Sequence, residues 1–272
     1  MKDKYLDKVK ILREKTKVGF MECKSALMKS GYDIDMAMDE LRKIGVLKAV
    51  SKSTRIASEG VVFSIINDSR NLGIILEVNC ETDFVSKENG FIDYVKDLAN
   101  YSISNRIFNV DSLLLTDIGK KRLELISRYG ENINVRRIKY LENTSNGSVS
   151  AYIHGNRVGC LLECDKFDDL LSHNIAMHIV AMDPKYLDID CVPIDVFENE
   201  KSIYFAEVTK SHSEKSNDLI NKIIDGKIKD YYKQFVLYEQ PFIRDSKVSI
   251  RDYLAYKLKV LNFFRLEVGE VL

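Results

Sequence analysis

Residues 60–80 read GVVFSIINDSRNLGIILEVNC, and this stretch decides the fold class. Two β-rich apolar runs, GVVFSII and LGIILEV, flank the turn-forming cluster NDSRN, which predicts a β-hairpin. The heptamer VGCLLEC at 158–164 repeats the order of LGIILEV at 72–78: apolar, Gly, three apolar residues, Glu, apolar. Each heptamer is followed by a helical pattern, at 91–102 and 167–182. The sequence therefore predicts a duplicated α+β core with antiparallel sheets.

Helical periodicity prevails on both sides of this repeat. Apolar residues at helical spacing predict three short helices within residues 4–45, with Asp33 as an N-cap and Gly31 and Gly45 as C-caps. Two further helices flank the polar segment KSHSEKSN at 210–217. Because each has a single apolar seam, we predict a protruding antiparallel coiled-coil hairpin.

The predicted architecture is α+β, with six consecutive segments. They are a three-helix N-terminal domain (1–48), a linker (49–58), a first core subdomain (59–145), a second core subdomain (146–192), the coiled-coil hairpin (193–238) and a C-terminal return to the core (239–272). Within the last segment, SIRDYLAYKL predicts a helix and VLNFFRLEVGE predicts a strand of the sheet domain.

Composition argues against several classes of protein. The 41 Lys and Arg residues balance 41 Asp and Glu residues, without the basic excess typical of nucleic-acid binders. The start, MKDKYLDKVK, has no apolar signal-peptide core, and no stretch approaches the ~18 apolar residues of a membrane span. Five scattered cysteines indicate reduced thiols. We therefore expect a cytoplasmic protein that contacts neither a membrane nor nucleic acid directly.

The search for catalytic motifs is nearly empty. The sequence lacks G-x-x-x-x-G-K-[ST], G-x-G-x-x-G, H-E-x-x-H and C-x-x-C. Cys160 and Cys164 are predicted to pack on one face of a strand, whereas His173 and His178 fall on different helix faces and make a poor metal pair. His154 ends a predicted strand with no nucleophile nearby in sequence, which favours a contact role over catalysis. We expect no catalytic residue, metal site or cofactor.

The segment NCETDFVSK at 79–87 is a candidate binding loop. It connects the most hydrophobic predicted strand to the next helix, and loops positioned by rigid strands concentrate binding residues. Large aromatic side chains are usually buried, so residue type alone favours Phe84 in the core. The alternative is an exposed Phe84 that inserts into a partner, with Asp83 meeting groups around a bound phosphate or cation.

Eight stretches together carry a family resemblance. They are LREKT (12–16), GFMECKSAL (19–27), EVNCETDFV (77–85), GENINVRRI (130–138), YIHG (152–155), IAMHI (175–179), QPF (240–242) and FRLEVGE (264–270). In this order they resemble the elongation factor Ts family across almost the whole chain. Lys17 stands where that family usually has Gly or a small polar residue, which predicts a different first turn. The sequence ends at Leu272, where many relatives continue into a further helical module.

The resemblance implies a ubiquitin-associated-like N-terminal bundle, a two-part α+β core and a coiled coil. It also implies binding to elongation factor Tu, in its GDP-bound and nucleotide-free forms, and faster GDP release. In the family, a Thr-Asp-Phe-Val loop enters the partner's nucleotide-binding domain and unsettles its Mg²⁺ site. Here that loop is Thr82, Asp83, Phe84 and Val85, with Phe84 as the wedge, and His154 is a secondary contact.

Other functions stay open from the residues alone. A helical interaction adaptor would explain the bundle and the coiled coil but not the ETDFV segment. A hydrolase using His154 has no support from a substrate-pocket motif, and zero net charge disfavours RNA binding. A homodimer through the coiled coil or the core also stays open.

Overall fold

The computed structural model describes residues 2–16, 18–211 and 217–271. Lys17 and the tip of the predicted hairpin at 212–216 lie outside the described residues. The described chain combines α-helices with antiparallel sheets, so the predicted α+β class is confirmed.

The α-helices are α1 (Lys2–Thr16), α2 (Phe20–Lys29), α3 (Ile34–Lys52), α4 (Asp83–Ser86), α5 (Asn89–Asn105), α6 (Val110–Leu114), α7 (Asp117–Tyr129), α8 (Asp169–Met182), α9 (Ile194–Ser211), α10 (Asn217–Phe235) and α11 (Ile250–Leu254). The strands are β1 (Glu59–Ile66), β2 (Leu72–Cys80), β3 (Asn134–Glu142), β4 (Ser148–His154), β5 (Val158–Cys164), β6 (Pro241–Phe242), β7 (Asp245–Ser249) and β8 (Val260–Glu267).

Helices α1 to α3 pack around a small apolar core that includes Leu12, Leu27 and Leu41. The backbone N–H of Met36 donates to Asp33 Oδ1 at 2.9 Å, which confirms Asp33 as the N-cap of α3. Gly31, just after α2, has a left-handed φ of +59°, a conformation that glycine adopts without steric cost.

Helix α3 continues through Gly45 to Lys52, so the prediction that Gly45 caps it is wrong. A Cβ atom at Gly45 would lie 3.2 Å from the carbonyl oxygen of Leu123 on α7. Glycine therefore serves close helix packing here, and residues 49–52 of the predicted linker are helical. Ala49 enters the apolar core of the neighbouring sheet, so α3 fastens the three helices to that part of the chain.

The two larger sheets form the inner layers of a four-layer arrangement. Their strand orders are β1-β2-β3 and β4-β5-β8, with antiparallel pairing throughout. The outer face of the first sheet packs on α5 and α7, and the outer face of the second packs on α8. Their inner faces pack together, which explains why β2 is buried along its whole length.

The repeated heptamers form β2 and β5, the central strands of the two sheets. Their alternating residues separate into a helix-facing row and a row between the sheets. The repeated glycines belong to the second row. A Cβ atom at Gly73 would lie 2.7 Å from Val149 Cγ1, and one at Gly159 would lie 2.3 Å from Ile153 Cδ1 and 2.9 Å from Val62 Cγ1. The repeat thus has a packing cause.

The repeated acid of β2, Glu77, is fully buried yet well paired. It accepts hydrogen bonds from Arg137 Nε at 2.6 Å, Arg136 Nη1 at 3.1 Å, the Gly269 backbone N–H at 2.9 Å and the Asn79 amide at 2.9 Å. Burial by itself raises the pKa of Glu77, but these hydrogen bonds and the Arg137 charge outweigh it, and the pKa lies below 4.5. The carboxylate thereby joins the first sheet to the C-terminal segment.

Helices α9 and α10 form an antiparallel pair. Val208 packs against Ile220 and Ile224, and further along the pair the Phe197 ring stacks on Tyr232. The predicted helix at 249–258 is present only as α11, because Ala255 and Tyr256 adopt left-handed φ values of +34° and +66°. The β6-β7 ribbon was not predicted, whereas β8 joins the second sheet as expected.

The stretches IAMHI and QPF meet at His178. His178 Nε2 lies 2.9 Å from Gln240 Oε1, and the Ile243 backbone N–H donates to His178 Nδ1 at 3.3 Å. Since Nδ1 accepts, Nε2 carries the proton and donates to Gln240. Burial lowers the pKa of His178 below 6.5, although the hydrogen bond to Gln240 opposes this shift. The folded protein therefore holds a neutral imidazole.

We predict that His178→Gln will flatten the dependence of stability on pH. Below about pH 6.5 the unfolded chain binds a proton that the folded imidazole resists, so stability falls as pH falls. One such group can contribute up to about 1.4 kcal/mol per pH unit. Urea unfolding at pH 7.5 and pH 5.5 measures the effect. If the variant and the wild-type protein lose the same unfolding free energy between pH 7.5 and pH 5.5, the lowered pKa of His178 is contradicted.

Candidate functional site

The chain turns sharply after β2 into α4, a single helical turn where sequence analysis placed an irregular connection. Thr82 has extended backbone angles and caps this turn, because its Oγ1 accepts a hydrogen bond from the Val85 backbone N–H at 3.5 Å. The Ser86 hydroxyl donates to the Asp83 carbonyl at 2.8 Å. Asp83 lies in the first turn, where a carboxylate favours helix formation.

Phe84 and Val85 point in different directions from this turn. Val85 is only 7% exposed and packs in the core between the first sheet and its helices, whereas Phe84 is 80% exposed. The interpretation of Phe84 as a core residue is therefore wrong. Neighbouring residues on a helical turn point about 100° apart, so burying Val85 turns Phe84 toward solvent.

Asp83 presents a charged carboxylate beside Phe84. Its Oδ2 lies 2.6 Å from Lys87 Nζ, one helical turn further along the chain. The hydrogen bond from Lys87, together with the Lys87 charge, holds the pKa of Asp83 below 3.8. Asp83 is therefore ionised at neutral pH, at an exposed position where a partner can compete for it.

Glu131 is a site residue that sequence analysis missed. Its Oε2 accepts hydrogen bonds from the backbone N–H groups of Glu81 at 3.1 Å and Thr82 at 3.0 Å. Its Oε1 accepts from the Thr82 hydroxyl at 2.7 Å. The GENINVRRI stretch contained Glu131, but nothing in the sequence indicated a contact with a segment about 50 residues away.

A groove of about 550 Å³ separates α4 from the turn between β4 and β5. Asp83 and Lys87 line one side, and residues 155–157 line the other. The Asn156 carbonyl accepts a hydrogen bond from the Val62 backbone at 2.8 Å, which fixes this turn to the first sheet. The structure thus brings two candidate regions, 82–87 and 154–157, to one face of the molecule.

His154 is the exposed last residue of β4, directly before that turn. Its Nδ1 lies 3.4 Å from the Tyr152 hydroxyl. The Tyr152 ring also meets His173 edge-on, with ring centroids 5.3 Å apart. These contacts orient His154 directly before that turn without burying it, which suits a surface contact.

The remaining candidate residues have packing roles. Cys160 and Cys164 share one buried face of β5, as predicted, and burial raises the pKa of the Cys164 thiol to about 12. Such thiols stay protonated and unreactive at neutral pH. Among residues 2–16, 18–211 and 217–271, no group of three His, Cys, Asp or Glu side chains could hold a metal ion. Every helix within those residues is too short or too polar to span a lipid bilayer.

Comparison with known proteins gives consistent matches. The sequence model of the family described as Elongation factor TS matches residues 81–270. The chain is 37% identical over 263 residues to the Elongation factor Ts of Haemophilus ducreyi, 38% to that of Hamiltonella defensa and 37% to that of Yersinia pestis. Each alignment covers 96% of this chain and 90% of the relative.

Proposed function

Because the chain belongs to the elongation factor Ts family, we propose that it is a guanine-nucleotide exchange factor in translation elongation. In this proposal it binds elongation factor Tu carrying GDP, promotes GDP release and leaves the nucleotide-free partner ready for GTP. The observation that carries the proposal is the exposed Phe84 on a capped turn anchored by the buried Val85.

The mechanism is a displacement, and the chain makes or breaks no bond. Guanine nucleotides are held by backbone amides around the phosphates and by Mg²⁺, which demands near-ideal octahedral geometry. Insertion of Phe84 next to this site would move the elements that supply those groups. The ionised Asp83 would leave its ion pair with Lys87 and bind a group of the partner instead. Linkage makes the effect reciprocal: GDP weakens binding of this protein by the same factor.

Other surfaces extend the proposed contact. His154 and the groove beside α4 supply a second contact on the same face. The N-terminal bundle, which we assign as ubiquitin-associated-like and as a further partner contact, exposes the apolar side chains of Met21, Met28 and Met36. We assign α9 and α10 to a coiled-coil hairpin that acts as a spacer, a partner contact or a homodimer surface. Cytoplasmic location belongs to the same proposal. So does the absence of direct nucleic-acid contact, which zero net charge supports.

The test is release of a fluorescent GDP analogue from elongation factor Tu at increasing concentrations of this protein. We expect saturable acceleration, which excess Mg²⁺ opposes because it stabilises the nucleotide-bound state. Binding to elongation factor Tu without acceleration would favour the helical adaptor instead. A folded sample that neither binds nor accelerates release would overturn the proposal.

A further inference from the structure

We propose that Glu131 is a positioning residue, which holds the 82–85 turn in the conformation that presents Phe84. This inference rests on the proposed exchange function, and it concerns a residue whose carboxylate is hydrogen-bonded to Glu81 and Thr82, ahead of Phe84 in the chain. Glu131 acts through Thr82, whose backbone N–H and hydroxyl both donate to its carboxylate.

One carboxylate accepts three hydrogen bonds from the two residues that precede α4. Oε2 accepts the Glu81 and Thr82 backbone N–H groups, and Oε1 accepts the Thr82 hydroxyl. With its proton committed to Glu131, the Thr82 hydroxyl directs a lone pair to the Val85 N–H. Hydrogen bonds to an ionised acceptor are stronger than neutral ones. A four-residue helix is unstable alone, so α4 depends on these external partners.

The support is reciprocal between two short segments. While Glu131 accepts the Glu81 N–H, the Glu81 carboxylate accepts the Asn132 N–H at 2.7 Å. Glu131 itself follows the left-handed Gly130 that ends α7, with a φ of +76°. The position of the carboxylate is therefore set by the end of a packed helix and not by a mobile loop.

Residues 130–132 also contact the chain at the end of the N-terminal bundle. Lys52 Nζ donates to the Gly130 carbonyl, and the Asn132 amide donates to the Arg55 carbonyl at 2.9 Å. The Arg55 guanidinium also lies 3.5 Å from the Glu81 carboxylate. Residues 130–132 thus link the last turn of α3 to the turn that presents Phe84. A partner that engages both the bundle and Phe84 meets two surfaces with a fixed relative position.

The expected effect follows from the population of the presenting conformation. Without Glu131 the turn samples other conformations, so a smaller fraction of molecules can bind productively. The concentration of this protein that gives half-maximal acceleration of GDP release (the half-saturating concentration) then rises by the inverse of that fraction. The maximal release rate stays unchanged. Loss of hydrogen bonds to a charged acceptor predicts a rise of roughly 10-fold.

The experiment uses the full chain with Glu131→Gln, Thr82→Val and the double variant in the GDP-release assay. Gln replaces one carboxylate oxygen by an NH₂ group, which cannot accept the hydrogen bonds that Glu81 and Thr82 donate. Val removes the Thr82 hydroxyl with little change in side-chain size. We expect each single variant to raise the half-saturating concentration, and the double variant to do little more, because both changes break one network. Thr82→Ser, which keeps the hydroxyl, should raise the half-saturating concentration less than Thr82→Val does.

Glu142→Gln is the matched control, since this acid is the last residue of β3, pairs with Arg106 and lies opposite Leu72, at the end of β2 away from the turn. It should leave both kinetic parameters unchanged. Amide proton shifts provide a readout independent of activity: the Glu81 and Thr82 signals should move upfield in Glu131→Gln, while those of α8 and the second sheet stay in place.

Several results would overturn the proposal. Wild-type kinetics in Glu131→Gln, additive effects in the double variant, or unmoved Thr82 and Glu81 amide shifts would each remove the positioning role. A fall in maximal rate together with loss of folded signals throughout would assign Glu131 to stability only. No acceleration by the wild-type protein would instead refute the exchange function, and the amide shifts would still decide whether Glu131 holds the turn.

Discussion

Replacing Phe84 by alanine will lower the maximal acceleration of GDP release by roughly 10- to 100-fold. Burying one Phe side chain against a partner contributes about 1.5–3 kcal/mol. In the proposed mechanism this contact is complete only after the partner has rearranged, so its loss lowers the maximal rate and not only the affinity. The stability of this protein should hardly change, because Phe84 is 80% exposed in the folded chain.

Stopped-flow release of the GDP analogue at saturating protein measures this effect. Phe167→Ala is a matched control, because Phe167 is also an exposed Phe. It follows β5, the strand of the second heptamer, as Phe84 follows β2. The control variant should accelerate release like the wild-type protein. Undiminished acceleration by Phe84→Ala, from a folded sample, would move the wedge elsewhere, with His154 and the N-terminal bundle as the next candidates.

The second large effect is on stability, at the glycine of the second heptamer. Gly159→Ala is expected to lower the free energy of unfolding by about 2–3 kcal/mol, near the upper end for overpacking a core. The new methyl group would lie 2.3 Å from Ile153 Cδ1, 2.9 Å from Val62 Cγ1 and 3.0 Å from Ile75 Cδ1. These neighbours belong to both sheets, so relief of the clash requires the sheets to separate or several side chains to leave their rotamers.

A glycine with open surroundings provides the comparison. Gly226 lies on the exposed side of α10, and a Cβ atom there would meet nothing within 4 Å. Gly226→Ala should therefore stabilise the protein by about 0.5–1 kcal/mol, since alanine costs less backbone entropy in a helix. Urea unfolding of both variants measures the contrast. A Gly159→Ala variant as stable as the wild-type protein would contradict the close packing of the sheets.

Local patterns were sufficient for the elements whose stabilising contacts lie nearby in sequence. The NDSRN cluster predicted the β1-β2 hairpin, and Asp33 predicted the start of α3, because turns and caps depend on residues only a few positions apart. The two heptamers predicted one strand in each half of the duplicated core, and these strands are β2 and β5. The glycine in each heptamer allows the two sheets to pack closely, but this role is evident only from the positions of both sheets.

Elements that depend on distant partners could not be predicted. Gly45 resembles a helix end locally, but the Leu123 backbone lies against it, and the helix continues because close packing compensates for the poor helix propensity of glycine. Phe84 was expected inside on residue type, yet the burial of Val85 turned it outward.

The sequence by itself determined the α+β class, the repeat and the family, because periodicity and ordered motifs are properties of the chain. Only the tertiary structure decided how the candidate site is assembled. Glu131 reaches Thr82 across 49 positions, and residues 155–157 face α4 across a groove formed by two different sheets. Such contacts depend on how the layers pack, and packing is a property of the whole fold that no local spacing specifies.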